Sequence, residues 1–288
     1  MSIAKNWKNK KIGLILSGGG AKGAYQIGMF RALEELGLTD QISVIAGTSI
    51  GALNAVAYAL NGVAGVCDIM YGFEQGVSIL RRNATPEEII ESRQKVERGE
   101  VTVETFATAP EFSEFDTSLF LQEMKEMVPD EKLKNCSRNL YACAYNLNKK
   151  MPEYFHLNSM KPDDAKRMVL ASASLPFVFP AVCLNGYYYL DGGVVPAVCK
   201  PDAAAADKIP LKAILKDDLD AILVCFLNPA DEIDHSGVAE HTDYLERRPS
   251  RPLEKYPGEG TLDFTRERMD GHEKLGYEDA MKLFGRET

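Results

Sequence analysis

Apolar segments at the start of the chain predict strands and helices in alternation. Residues 11–16 are apolar on both faces, which is typical of a strand buried in a parallel sheet. Apolar residues then recur at helical spacing over residues 25–36, and Gly37 ends that helix. A second buried strand covers residues 44–46, and residues 50–60 have the composition of a buried helix. This order predicts an α/β protein that opens with a β-α-β-α unit and has a mostly parallel sheet.

The rest of the chain adds a helical insertion, more strands and a loop-rich end. Thr85-Pro-Glu-Glu88 has the composition of a capping box and begins a predicted helix inside a mostly helical insertion at about 66–134. Asn185-Gly186 predicts a hairpin turn within residues 182–190. The remaining predicted elements are strands at 139–148, 153–157 and 221–227, helices at 119–127, 161–169, 211–216 and 266–284, and loops over most of a C-terminal extension at about 228–288.

Charge and cysteine usage exclude some classes of function. The 288 residues carry 42 acidic against 33 basic side chains, a net charge of -9, which argues against nucleic acid as the partner. The six cysteines form no C-x-x-C pair and have no neighbouring histidine. They indicate free thiols in a reducing compartment and argue against a structural metal. We therefore expect a cytoplasmic protein.

Two segments raise the question of membrane contact. Residues 41–67 contain no charged side chain and are long enough for a membrane span. Gly47, Asn54 and Gly62 interrupt them, so we interpret this stretch as a buried strand, turn and helix. Basic residues surround Trp7 and could meet an anionic membrane surface, although a solvated lead-in whose indole packs on the domain is the simpler interpretation. We expect no signal peptide, no transmembrane segment and at most transient contact with a membrane surface.

Ser49 is a candidate nucleophile. Gly47-Thr-Ser-Ile-Gly51 places it where a predicted strand changes to a predicted helix. A serine on such a tight turn presents its Oγ to a substrate, flanking glycines remove clashing side chains, and the helix N-terminus stabilises an anion. The string is short, however, and a tight turn with a serine N-cap explains it equally well.

The loop Ser17-Gly-Gly-Gly-Ala-Lys-Gly23 has two interpretations. Its glycine spacing matches a dinucleotide-binding pattern, but the second strand ends at Ala46 without the acidic residue that such a site needs. Lys22 is followed by glycine, which does not fit a phosphate-binding P-loop. Three successive glycines instead expose N–H groups for an oxyanion hole, with Lys22 as a nearby positive charge. In a β-α-β unit this loop lies beside Ser49.

A base for the serine is less clearly marked. The four histidines lack a setting that indicates catalysis, and a surface position is the simpler interpretation for each; they are His156, His235, His241 and His272. Asp191 follows the predicted hairpin and precedes two glycines, which permit a sharp turn and close backbone approach. Asp-Gly-Gly by itself is most often only a turn.

Three segments taken in order resemble the patatin-like phospholipases. They are Gly18-Gly-Gly-Ala-Lys-Gly23, Gly47-Thr-Ser-Ile-Gly51 and Asp191-Gly-Gly193. A supporting match is Ala171-Ser-Ala-Ser-Leu-Pro176 with Phe179-Pro180. A second pair of segments is similar to bacterial members of the family: Thr261-Leu-Asp-Phe264 and Gly276-Tyr-Glu-Asp279. The resemblance covers nearly the whole chain and implies a single domain over residues 1–288 with a three-layer α/β/α fold.

The resemblance also implies a Ser/Asp dyad that cleaves acyl esters of lipids without a metal, a cofactor or a catalytic histidine. By position, Ser49 is the nucleophile and Asp191 the general base, and water hydrolyses an acyl-enzyme formed on Ser49. The implied oxyanion hole comprises Gly18, Gly19, Gly20 and Ile50, and the implied supporting residues are Lys22, Gly47, Gly51, Gly192 and Gly193.

One departure from the family pattern concerns the segment after Asp191. Family members follow Asp-Gly-Gly closely with a D-N-x-P-like turn, whereas Asp207-Lys-Ile-Pro210 comes here after an extra loop at 196–206. That loop could alter access to the base. We expect a hydrolase of phospholipid or lysophospholipid esters. The alternatives are an acyltransferase or thioesterase with the same dyad, a catalytically silent lipid-binding protein and, least favoured, a dinucleotide-binding protein.

Overall fold

The computed structural model describes residues 2–75, 81–256 and 258–285, so residues 76–80 of the predicted insertion lie outside the described residues. The strands are β1 (Ile12–Leu16), β2 (Ile42–Thr48), β3 (Arg81–Arg82), β4 (Phe115–Asp116), β5 (Asn139–Asn146), β6 (Met151–His156), β7 (Val182–Leu184), β8 (Tyr187–Asp191), β9 (Ala221–Cys225) and β10 (Asp243–Arg247). The α-helices are α1 (Ile3–Trp7), α2 (Ala24–Glu35), α3 (Ile50–Gln75), α4 (Pro86–Glu97), α5 (Val103–Thr108), α6 (Ser118–Met127), α7 (Asp130–Lys134), α8 (Pro162–Ser172) and α9 (Arg266–Phe284).

The central sheet is mixed. Its strands follow the order β10-β9-β1-β2-β5-β8-β7, and β6 also pairs with β5. The strands from β10 to β5 are parallel to one another, whereas β6 and β8 pair antiparallel with β5, as β7 does with β8. The short strands β3 and β4 form a separate antiparallel pair in the insertion. The parallel half of the sheet therefore carries the predicted β-α-β unit.

Helical layers cover both faces of the sheet because successive side chains of a strand point to opposite sides. Leu14 and Leu16 join a core with α2, α3, α8 and α9. Ile15 on the other face packs with residues 209–226, which include the helical turn Leu211–Ala213. Helices α4 and α5 cover that second face further along, where their apolar residues pack against Tyr145 of β5. The predicted three-layer α/β/α fold is confirmed.

Helix α3 is longer than predicted and bends at Gly62, whose φ of 63° lies in the left-handed region. Residues 53 and 73 would lie about 30 Å apart in a straight helix, yet Leu53 and Phe73 line the same cavity. The second half of α3 therefore folds back toward the first. In the described part of the chain, Ile50–Glu74 is the one stretch long and apolar enough to cross a membrane, and 67% of its most apolar window is buried inside the protein, as in a core helix.

Two segments near the chain ends differ from the simple predictions. The N-terminal residues fold into α1, and the Trp7 ring packs edge-on against Phe284 with centroids 5.7 Å apart. The loop-rich extension predicted from about residue 228 also contains a strand that was not predicted, because β10 pairs with β9 in parallel. Asp243-Tyr-Leu-Glu-Arg247 carries a weak apolar signal since an edge strand is held mainly by backbone hydrogen bonds.

Candidate active site

Ser49 lies on a strained turn between β2 and α3. Its φ of 58° is in the left-handed region, which non-glycine residues enter rarely and at a cost of about 1–3 kcal/mol. The flanking glycines are sterically required: a Cβ on Gly47 would lie 2.2 Å from the Gly51 carbonyl oxygen, and one on Gly51 would lie 2.3 Å from the Leu16 carbonyl oxygen. The turn therefore has the backbone form of the predicted nucleophile elbow.

Ser172 at the end of α8 supports this turn. The Ser49 N–H donates to Ser172 Oγ at 2.9 Å, and Ser172 Oγ donates to the Cys143 carbonyl at 2.5 Å. The serine hydroxyl thus links the strained residue to β5 within the core. Sequence reasoning noted Ala171-Ser-Ala-Ser-Leu-Pro176 only as a match to a pattern. The sequence signal that could have identified Ser172 is a serine among the apolar residues at the end of a buried helix.

The glycine loop lies beside Ser49, as the β-α-β unit predicts. Strand β1 pairs with β2 so that Leu16 is opposite Gly47, and a Cβ on Gly18 would lie 3.1 Å from Ser49 Cβ. The Gly18 N–H donates to the Lys208 carbonyl at 3.1 Å, so this amide is engaged rather than free for an oxyanion. Within the described residues, the N–H groups of Gly19, Gly20 and Ile50 donate to no protein acceptor.

Strand register brings Asp191 to Ser49. One edge of β5 pairs first with β2, with Thr48 opposite Cys143, and then with β8, where Asp191 is opposite Ala144. Strands β2 and β8 run toward each other along this edge because one is parallel and the other antiparallel to β5. Their C-terminal residues therefore meet, and Ser49 follows directly after Thr48.

Asp191 is a buried carboxyl, 1% exposed, with one oxygen fixed and one without a partner. Its Oδ1 accepts a hydrogen bond from the Gly193 N–H at 2.8 Å, while Oδ2 has no hydrogen-bond partner among the described residues. Burial raises the pKa of Asp191 to about 6, and the Ser49 hydroxyl, the Gly193 N–H and the Lys208 ammonium each act to lower it. Gly192 permits this turn, since a Cβ there would lie 2.5 Å from the Cys143 carbonyl oxygen.

The Ser49 hydroxyl and the Asp191 carboxyl are neighbours, but they do not form a well-aligned hydrogen bond. The serine hydroxyl lowers the pKa of the carboxyl as a hydrogen-bonding neighbour does, yet Oδ2 makes no hydrogen bond of ordinary geometry. The two groups therefore face each other without a formed hydrogen bond. Catalytic hydrogen bonds are often long before substrate binds.

Lys22 lies beside the glycine loop, with Cε 3.3 Å from where a Cβ on Gly19 would be, and its charge is paired. Its side chain is buried, and Nζ pairs with Glu254 Oε2 at 2.8 Å. Burial alone would raise the pKa of Glu254, but the Lys22 contact and the N–H groups of Gly258 and Gly260 lower it below its usual value. The ion pair anchors the segment before α9 onto the glycine loop, where the Ala21 N–H also donates to the Thr261 carbonyl at 2.9 Å. Lys22 therefore secures the wall of the site.

A cavity of about 570 Å³ opens beside Ser49. Its walls come from the elbow, both halves of α3, the insertion, α8 and the segment anchored by Glu254. Most of the lining side chains are apolar: Ile50, Leu53, Phe73, Phe115, Phe120, Leu170, Ala173, Leu175, Val178, Phe179, Leu262 and Phe264. Phe73 packs against both Phe120 and Phe264, with ring centroids 5.6 and 4.9 Å apart. Such a cavity fits a hydrocarbon chain.

The histidines stand apart from this cavity. None of the four lines it in the described part of the chain. His235 and His241 are exposed, and the His156 ring stacks on Tyr141. The expectation of a surface position was wrong for His272, which is buried with Nε2 2.9 Å from the Leu253 carbonyl oxygen. The described residues also contain no group of three or more His, Cys, Asp or Glu side chains placed to hold a metal ion.

Comparison with known proteins identifies the family of the chain. Residues 14–199 match the family model of the patatin-like phospholipases, which spans the glycine loop, the elbow and the Asp-Gly-Gly turn. The chain belongs to the patatin-like phospholipase family.

Curated relatives are fungal. The chain is 30% identical over 199 residues to lysophospholipase nte1 of Aspergillus terreus and 32% identical over 199 residues to lysophospholipase NTE1 of Phaeosphaeria nodorum. These matches cover 69% and 67% of this chain but 11% of each relative, so the chain corresponds to about a tenth of the relatives' length. The narrower expectation of a bacterial member is therefore not supported.

Solved structures with similar folds include a human phospholipase and a protein from Legionella pneumophila. Human GIVD cytosolic phospholipase A2 matches with a TM-score of 0.47 and 14% identity, over 96% of this chain and 58% of that one. VipD from Legionella pneumophila matches with a TM-score of 0.45 and 16% identity, over 95% of this chain and 66% of that one.

Proposed function

We propose that this protein is a serine acyl hydrolase that cleaves carboxylic esters of phospholipids or lysophospholipids with a Ser49/Asp191 dyad. The observation that carries the proposal is the meeting of a strained serine with a buried carboxyl at the edge of an apolar cavity. The Oδ2 atom of that carboxyl has no hydrogen-bond partner in the part of the chain that the structure describes. Family membership supports the reaction class. The curated relatives named lysophospholipase support lipid esters as the substrate.

In this mechanism Ser49 Oγ attacks the ester carbonyl carbon while its proton passes to Asp191 Oδ2. The tetrahedral intermediate collapses, the bond to the alcohol oxygen breaks, and Asp191 returns the proton to that oxygen. Water then attacks the acyl-enzyme and gives a proton to Asp191, and release of the fatty acid restores the Ser49 hydroxyl. The raised pKa of Asp191, about 6, makes it a stronger base than an ordinary aspartate.

The oxyanion of that intermediate needs N–H donors near Ser49. We propose Gly19, Gly20 and Ile50 for this role, because their N–H groups have no acceptor in the described protein and the last two line the cavity. Gly18 serves differently, by leaving room beside Ser49 Cβ. Each donor of an oxyanion hole contributes about 3 kcal/mol to transition-state stabilisation.

The substrate's acyl chain would occupy the apolar cavity, and the opening offers contact with a lipid surface. Leu262 lines the cavity and is 56% exposed, and Leu119, 44% exposed, lies between two other lining residues, Thr117 and Phe120. We propose that these two leucines touch the lipid aggregate transiently. The six free cysteines support a reducing compartment, for which we propose the cytoplasm.

Hydrolysis of a lipid panel tests the function. Purified protein is incubated with phospholipids and lysophospholipids of several head groups, and released fatty acid is measured for the wild type, Ser49→Ala and the exposed-site control Ser159→Ala. We expect release by the wild type and the control and none by Ser49→Ala. Release that persists in Ser49→Ala, or none from any lipid by the wild type, would refute the proposal. Adding an acceptor alcohol or thiol to the same assay separates hydrolysis from acyl transfer.

A further inference from the structure

The segment Asp207–Lys208 bonds to all three catalytic loops through its backbone. The Asp207 N–H donates to the Gly192 carbonyl at 2.8 Å, and Thr48 Oγ1 donates to the Asp207 carbonyl at 2.8 Å. The Gly18 N–H donates to the Lys208 carbonyl at 3.1 Å. This segment directly follows the extra loop at 196–206, so it is where the chain comes back into contact with the candidate active site.

The Asp207 side chain fixes the segment from behind. Its carboxylate accepts a short hydrogen bond from the Tyr154 hydroxyl on β6 and another from the Ile209 N–H at 3.2 Å. Burial is the main cause that raises the pKa of Asp207. The position of Lys208 is therefore set by the sheet rather than by an unsupported loop.

The Lys208 side chain crosses the gap between the glycine loop and the Asp191 turn. Its Cγ lies 3.7 Å from where a Cβ on Gly18 would be and 3.3 Å from the same position on Gly193. At its end, Nζ pairs with Asp231 Oδ2 at 2.7 Å, and the side chain is 32% exposed. This contact is an ion pair rather than a hydrogen bond. The aliphatic stem thus covers both loops.

Few charged groups act on the Asp191 carboxyl. Lys208 is the cation that lowers the pKa of Asp191, alongside the Ser49 hydroxyl and the Gly193 N–H. The Cys143 thiol of β5 also faces the carboxyl, but burial raises the pKa of that thiol well above its usual value, so it stays neutral. Asp231 partly balances the lysine from the far side.

We propose that Lys208 is a positioning residue for the hydrolase reaction: its stem holds the Asp191 turn against the glycine loop and brings a positive charge to this side of the base. The inference rests on the proposed function in naming Asp191 as the base. It assigns a role to a residue outside the three family motifs. Both Lys208 and Lys22 are ion-paired, with Asp231 and Glu254, but only the Lys208 stem contacts the Asp191 turn.

Three substitutions of Lys208 separate the role of its aliphatic stem from the role of its charge. Lys208→Met keeps most of the stem and removes the charge, Lys208→Arg keeps the charge, and Lys208→Ala removes both. Lys212→Met is the matched control, since Lys212 is an exposed lysine of the same segment that acts on Asp207 rather than on Asp191. The readout is the pH profile of kcat/KM for a soluble short-chain ester, together with the rate at which a fluorophosphonate labels Ser49.

In Lys208→Met we expect the acid limb of both profiles to move to higher pH, with a severalfold loss at pH 6 that vanishes by pH 9. Lys208→Arg and Lys212→Met should follow the wild type. Lys208→Ala should also lose kcat on the alkaline plateau, with KM unchanged because Lys208 does not line the cavity. A Lys208→Met profile that superimposes on the control, or a uniform loss at every pH that arginine does not rescue, would overturn the proposal.

A second readout needs no turnover and so separates this proposal from the proposed function. Asp191→Asn removes the cost of burying a charge, and that cost is larger without a nearby cation. The stability gain from Asp191→Asn at pH 8, measured by urea unfolding, should therefore be larger in Lys208→Met than in the wild type or Lys212→Met. An equal gain in all three backgrounds contradicts the charge role even in a protein that hydrolyses nothing.

Discussion

Replacing Asp191 with asparagine should make the protein more stable at pH 8 while abolishing its activity. The carboxyl is completely buried, and its pKa of about 6 in the folded state exceeds the ordinary value of 3.8. Folding therefore favours the neutral carboxyl. Ionisation of the buried carboxyl lowers the free energy of unfolding, and this loss is absent below pH 4 and complete above pH 6. A pKa difference of about 2 between the folded and unfolded states corresponds to about 3 kcal/mol in the free energy of unfolding.

Asparagine fits the same space and can still accept the Gly193 hydrogen bond, so Asp191→Asn should recover up to about 3 kcal/mol at pH 8. At pH 5 the unfolded carboxyl is mostly ionised and the folded one mostly neutral, so the gain should fall to about half. Urea unfolding at both pH values measures the difference. Asp202→Asn is the control, because that exposed carboxylate forms only a 3.6 Å surface contact with Lys150.

Activity should change in the opposite direction. An asparagine cannot accept the Ser49 proton, and kcat should drop by about 10⁴-fold, as in other hydrolases that lose part of the catalytic unit. In the wild type, kcat/KM should fall about tenfold for each pH unit below the pKa of Asp191, about 6, because only the ionised carboxyl is a base. If the Asp191→Asn protein is less stable than the wild type, or is stabilised equally at pH 8 and pH 5, then Asp191 is not a buried carboxyl whose ionisation destabilises the fold.

Three further variants probe the supports of the site. Ser172→Ala removes the acceptor of the Ser49 N–H and should lower kcat/KM about tenfold, the equivalent of one lost hydrogen bond; an unchanged kcat/KM for a short-chain ester would count against this support. Phe73→Ala enlarges the cavity and should raise the ratio of kcat/KM for long-chain over short-chain esters, so a constant ratio would place the acyl chain elsewhere. Glu254→Gln leaves the Lys22 ammonium buried without its counter-charge and should cost about 3 kcal/mol in urea unfolding; a loss below about 1 kcal/mol would show that the pair is not needed.

Local features of the fold could be predicted because local sterics determine them. The capping box at Thr85 forms as expected, with the Glu88 N–H donating to the threonine hydroxyl and the Thr85 N–H donating to the glutamate. Asn185 and Gly186 both adopt positive φ in the hairpin turn. The glycines around Ser49 could also be interpreted from sequence, since any side chain there would collide with backbone.

The parts that could not be predicted depend on partners distant in the chain. Asp191 reaches Ser49 because one edge of β5 pairs with β2 and then with β8, a register that no local pattern encodes. The ion pair of Lys22 could not be foreseen, because its partner Glu254 lies 232 residues away in the chain. The engaged N–H of Gly18 likewise depends on a carbonyl from Lys208. Composition cannot reveal such long-range contacts.

The dyad itself is tested most directly by kcat/KM for a soluble short-chain ester, measured on seven folded proteins: the wild type, Ser49→Ala, Asp191→Asn and the four single His→Ala variants. The account predicts that Ser49→Ala and Asp191→Asn lose at least about a thousandfold in kcat/KM, whereas each histidine variant stays within about tenfold of the wild type. A histidine variant that folds normally and is as inactive as Ser49→Ala would contradict it and replace the dyad with a triad.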